Sequence, residues 1–215
     1  NYCGFACAET FGADRAGFAT MEEDMKTVFM FSGQGAQYAG MGKDLYKNYP
    51  VAKEIFDRAD NVLGYSIKDI CFEDEQKLGE TEFAQPAILT MSIAAMKVLE
   101  EEGVRADMTA GLSLGEYSAY VASEAMDFEE AVALVQKRGK FMAEAVPSGE
   151  GAMYAIIGLD TALVEEACAE ATAEGDGLAV PANYNAPGQI VIAGHAQAAK
   201  RAAALAKEKG AKLTV

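Results

Sequence analysis

Gly111-Leu112-Ser113-Leu114-Gly115 sets a serine between two glycines, after a short apolar stretch and before a helix-forming one. This spacing suits a sharp strand-to-helix turn, in which the glycines allow close backbone approach and the hydroxyl stands exposed at a helix N-terminus. The chemistry on offer is nucleophilic attack on an acyl carbon. The N–H of Leu114, helped by the helix dipole, would stabilise the resulting oxyanion. A bare G-x-S-x-G also arises by chance, and the serine is then only part of a turn.

Arg138 is the second residue of interest. Leu134, Val135, Phe141, Met142 and Ala145 trace an apolar arc at about 100° per residue, and Arg138 projects into the middle of it. A buried guanidinium is costly unless paired. It is then either an internal salt bridge, a snorkelling side chain, or a bidentate anchor for a carboxylate substrate. Gly33-Gln34-Gly35 forms a turn after the first apolar run, where an open parallel sheet puts its crevice. It is either a plain tight turn or a place where a backbone N–H meets a ligand; no dinucleotide or P-loop fingerprint follows it. A serine nucleophile commonly works with a histidine base. The single histidine, His195, lies at a strand–helix turn in the last third of the chain, where a helix-start or surface role is expected.

Positioning these residues takes a set of elements that the pattern supplies. Thr27–Phe31 reads as a buried strand, Pro50 opens a helix that stops at Gly64, and a second helix is expected from Pro86 to Gly103. Met108–Ala110 reads as a strand entering the Gly111 turn, and Asp127 with Glu130 resembles a capping box before a helix over Phe128–Ala145. Pro147-Ser148-Gly149 closes that helix. Beyond it the order is β-α-β-β-α-β: strands near 153–159, 178–182, 189–193 and 212–215, with helices at 161–173 and 196–209. That is the ferredoxin-like arrangement. The reading is an α/β protein with a leader at 1–24 outside the fold, a large subdomain over 25–146, and a ferredoxin-like small subdomain over 147–215.

The balance of 18 Lys and Arg against 33 Asp and Glu gives a net charge of −15, which disfavours nucleic acid as a partner. No apolar run approaches the roughly 20 residues of a membrane span, and the N-terminal stretch has neither the basic start nor the apolar core of a signal peptide. Cys3, Cys7, Cys71 and Cys168 show no metal or disulfide spacing, so reduced thiols in a cytoplasmic protein are expected.

The segments FSGQGAQYAGMGKDL (31–45), AQPAILTMS (84–92), GLSLGEYSAY (111–120), VQKRGKFM (135–142) and NYNAPGQIVIAGH (183–195) together resemble the malonyl-CoA:acyl-carrier-protein transacylases of bacterial fatty-acid synthesis. The resemblance runs collinearly from about Met25 to Val215. It implies an α/β-hydrolase-like large subdomain with an inserted ferredoxin-like small one. It implies that Ser113 takes the malonyl group from coenzyme A, with the backbone N–H groups of Leu114 and Gln34 as oxyanion hole. Arg138 would pair with the malonyl carboxylate, and Gln85 and Asn185 would line the site. Malonyl-CoA and acyl carrier protein are the implied partners, and no metal or redox cofactor is needed.

Two departures from the family stand out. Leu112 replaces a histidine often found before the nucleophile. The family's general-base histidine follows the small subdomain's last strand, where this chain ends, so an incomplete copy with poor turnover by itself is expected. The alternatives are a serine thioesterase, with water in place of the carrier thiol, and a non-catalytic module that docks a carrier protein. For the latter, Lys200, Arg201, Lys207, Lys209 and Lys212 form a basic cluster that is otherwise a solvated helix face.

Overall fold

The computed structural model describes residues 26–146 and 149–215. The expected leader at 1–24 and the closing residues Pro147 and Ser148 lie outside them. The chain forms two compact units, one ending at Met142 and the other running from Ala143 to Val215.

In the first unit β1 (Val28–Phe31) is followed by α1 (Lys43–Asn48), α2 (Pro50–Leu63), α3 (Ile67–Glu73), α4 (Glu75–Gly79) and α5 (Thr81–Glu101). Then come β2 (Met108–Gly111), α6 (Gly115–Ala122) and α7 (Phe128–Ala145). Pro50 occupies the first turn of α2, where a missing N–H costs nothing, and the helix stops at Gly64 in the left-handed conformation. Its buried face, Ala52, Ile55, Phe56, Ala59 and Leu63, follows the helical period and packs into one core with Leu89 and Ile93 of α5. Phe56, Tyr46 and Phe72 meet edge-on or tilted at 5.5 to 5.7 Å between ring centres, tying α1, α2 and α3 together.

Three expectations need correction here. β1 pairs in parallel with β2, from Val28 opposite Met108 to Phe31 opposite Gly111, but it is not buried: Met30 is 82% exposed. Among the described residues β2 is its only strand neighbour, so its outer edge and half its side chains meet solvent. The second helix begins at Thr81 rather than Pro86. Proline there removes a single i to i−4 bond, and the extra turn buries Ala84 and Gln85. On α7 the buried stripe is Phe128, Ala131, Val132, Val135 and Gly139, whereas Leu134, Phe141 and Met142 of the anticipated arc are exposed. Small residues let this helix approach its neighbours closely, and that choice of face leaves the larger side chains outside.

The second unit contains β3 (Gly151–Ile157), α8 (Thr161–Ala173), β4 (Ala179–Ala186), β5 (Gln189–His195), α9 (Ala196–Glu208) and β6 (Leu213–Thr214). Its antiparallel sheet has the order β4-β5-β3-β6, the ferredoxin-like order that the element sequence predicts. Ile156, Ile190 and Ile192 pack against Val164 and Ala171 of α8 and Ala202 and Ala206 of α9. Two of the five residues of the basic cluster at 200–212 are paired with carboxylates. Arg201 pairs with Glu174 at 2.8 Å, Lys209 with Glu170 at 3.0 Å, and Lys207 donates to the Lys212 carbonyl at 2.9 Å.

Candidate active site

Ser113 sits between β2 and α6 with φ at 51°, in the left-handed region. For a residue with a Cβ that costs about 1–2 kcal/mol. Its neighbours enforce it. A Cβ on Gly111 would overlap the Gly115 carbonyl and the Glu116 nitrogen, and one on Gly115 would overlap the Phe31 carbonyl. Both glycines of the motif are therefore required by close approach. The Leu112 N–H donates to the Phe31 carbonyl at 3.2 Å, the Gly115 N–H to the Leu112 carbonyl at 2.9 Å, and buried Leu114 plugs the turn into the core. The serine hydroxyl is left outside.

Arg138 comes to this hydroxyl from α7. Its Nη2 donates to Ser113 Oγ at 2.9 Å and its Nη1 to Gln85 Oε1 at 2.8 Å. Gln85, fully buried on α5, in turn donates Nε2 to Met142 Sδ at 3.2 Å. The guanidinium also stands 5.7 Å from the centre of the Tyr117 ring. Arg138 has no carboxylate partner among the described residues. A half-buried cation held only by neutral groups, a hydroxyl's length from the serine, is an electrostatic site for an anion.

The Gln34 turn lies alongside: its Gly33 packs against the Leu112 carbonyl. The turn is stitched rather than loose. The Gly35 N–H donates to Gln37 Oε1 at 2.8 Å, and Gln34 Nε2 donates to Thr81 Oγ1 at 3.0 Å. The backbone N–H groups of Gln34 and Leu114 have no protein acceptor among the described residues. The first unit thus gathers Ser113, Leu114, Gln34, Gln85 and Arg138. Asn185 belongs to the second unit, exposed at a register shift between Tyr184 and Ala186 on β4. His195 is there too, at the start of α9, and its Nδ1 accepts the Leu178 N–H at 2.9 Å, a structural use that agrees with its place in the sequence.

The sequence profile of the acyl transferase domain matches residues 28–215. The chain belongs to the acyl transferase domain family. It is 50% identical over 191 residues to the malonyl CoA-acyl carrier protein transacylase of Bacillus subtilis, covering 88% of this chain and 60% of that protein. Among solved structures, MCAT from Streptococcus pneumoniae is 53% identical with a TM-score of 0.80, over 88% of this chain and 62% of that one. A malonyl-transacylase in complex with its type II PKS acyl-carrier protein is 42% identical, with a TM-score of 0.81 over 89% of this chain and 62% of that one. The chain therefore spans about 60% of the length of the curated relatives it matches. The acyl transferase domain seen here is an α/β fold of the same kind as those structures.

Sequence reasoning missed two members of the site. Tyr117 lies on α6 shortly after Ser113, and its ring faces the Arg138 guanidinium. Thr81 reaches Gln34 across 47 residues of chain, and nothing local marks it.

Proposed function

We propose that the protein transfers a malonyl group from malonyl-CoA to the pantetheine thiol of acyl carrier protein, in fatty-acid synthesis, through an acyl-Ser113 intermediate. Ser113 Oγ attacks the thioester carbonyl, the C–S bond breaks, and coenzyme A leaves as the thiol with the serine proton. The carrier thiol then attacks the acyl-serine ester, and Ser113 recovers its proton. The N–H groups of Leu114 and Gln34 stabilise the tetrahedral oxyanion in both halves. Arg138 swings from Ser113 Oγ to the free malonyl carboxylate while Gln85 keeps its other amino group in place. In the transacylases that the sequence resembles, a histidine after the last strand of the small subdomain takes and returns the serine proton. The large subdomain is taken as 25–146 and the small one as 147–215, and Asn185 of the latter is a candidate substrate-binding residue. A cytoplasmic setting suits Cys71 and Cys168, which are free and buried; burial pushes their thiols up to about 12 and about 11.

The observation that carries this reading is the contact of Arg138 with both Ser113 and Gln85. A thioesterase for neutral acyl groups has no use for an uncompensated guanidinium beside its nucleophile. The test is the ratio of acylation rates with malonyl-CoA and acetyl-CoA in the parent chain and in Arg138→Ala. Loss of a charge-assisted pair to the carboxylate should lower the ratio about 100-fold. An unchanged ratio would remove Arg138 from acyl recognition.

A further inference from the structure

We infer that Thr81 is a positioning residue for acyl transfer at Ser113, acting through the side chain of Gln34; the inference rests on the functional reading above. Thr81 is the first residue of α5, and its Oγ1 receives Gln34 Nε2 at 3.0 Å. The other side-chain tie in this turn, from the Gly35 N–H to Gln37 Oε1, is local and cannot fix the turn against the rest of the unit. Thr81 connects it to a helix that contributes heavily to the core. A second observation places Thr81 at the other arm of the site. A Cβ on Gly139 would stand 2.7 Å from the Thr81 carbonyl oxygen, so α7 meets α5 at this residue, one position after Arg138. Four residues further along α5 is Gln85, which holds the guanidinium.

One residue thereby borders both the oxyanion turn and the carboxylate anchor. Its main chain seats α7, and its hydroxyl seats the turn. Only the hydroxyl can be removed without disturbing packing, because valine has nearly the shape of threonine and tolerates the first helical position. Gln34 without its anchor keeps its N–H, but the N–H is no longer fixed where charge develops in the transition state.

The experiment compares Thr81→Val and Thr81→Ser with the parent chain, each checked for an unchanged thermal midpoint. In single-turnover acylation by malonyl-CoA, Thr81→Val should lower the maximal rate about tenfold and leave the half-saturating concentration within about twofold. Thr81→Ser should retain the parent rate. In a Gln34→Ala background Thr81→Val should cost nothing more, since the group it acts through is gone. Hydrogen–deuterium exchange at residues 33–37 should quicken about tenfold in Thr81→Val alone. Parent-like acylation by Thr81→Val, or an equal loss in the Gln34→Ala background, would overturn the inference. A parent chain that takes no acyl group counts against the functional reading alone. Exchange then decides for Thr81: faster in the valine variant with rescue by serine supports it, and no change overturns it.

Discussion

A non-glycine residue at φ 51° persists only where its surroundings leave no relaxed alternative, and around Ser113 the surroundings are backbone. Gly115 rests on the Phe31 carbonyl and Gly111 on the Gly115 carbonyl, so neither contact can yield by a side-chain rotation. Gly115→Ala is therefore expected to cost about 2–3 kcal/mol in urea melts and to abolish acylation of Ser113, because the elbow must open to accept the methyl group. A fully stable, acylating variant would show that the elbow has room which the geometry denies it. The same scale explains what could be read from the sequence. G-x-S-x-G carries its own steric logic, so Ser113 and Leu114 were legible locally. The glycines around Gln34 also marked that turn locally as a place where a backbone N–H could meet a ligand, whereas Gln85, whose contacts to Arg138 and Met142 lie on another element, was marked only by the family resemblance.

Among the elements, α7 shows how a helix can be found correctly and faced incorrectly. Its bounds, Phe128–Ala145, match the sequence reading, yet the buried stripe runs through Ala131, Val135 and Gly139. Hydrophobic size favours Leu134 and Phe141, while close packing favours small residues, and close packing won. Arg138 still reaches the site, since it precedes Gly139 at the point of closest approach to α5. The helix is also held to α2 by a two-pronged pair, Arg58 Nε to Glu129 Oε1 at 2.7 Å and Nη2 to Oε2 at 3.0 Å. The hydrogen bond from Arg58 holds the Glu129 carboxyl below its ordinary value. A depressed folded-state pKa means stability that is fully present above the unfolded value of about 4.3 and lost as pH falls through the folded one. Unfolding free energy should decline over that acid window, and Glu129→Gln should remove part of the slope. Both side chains are more than a third exposed, so the difference should stay below about 1 kcal/mol. A steeper slope in the variant than in the parent would contradict the assignment.

At the scale of the molecule, the second unit was the most legible part, because alternating short strands and alanine-rich helices spell out β-α-β-β-α-β without help from distant contacts. The first unit was less so. Its two-stranded sheet exposes residues whose composition reads as buried, and Thr81–Gln85 was assigned outside a helix that in fact includes it. Charge behaves similarly: the net value of −15 says nothing of a guanidinium without a carboxylate partner at Ser113. The proposed acyl transfer rests on that local cation, set beside a strained serine and two unspent N–H groups. It is tested most directly by intact mass after mixing the purified chain with malonyl-CoA, with Ser113→Ala as control. A gain of one malonyl group is expected in the parent chain and none in Ser113→Ala. No gain in the parent, or a gain that survives the substitution, would contradict it.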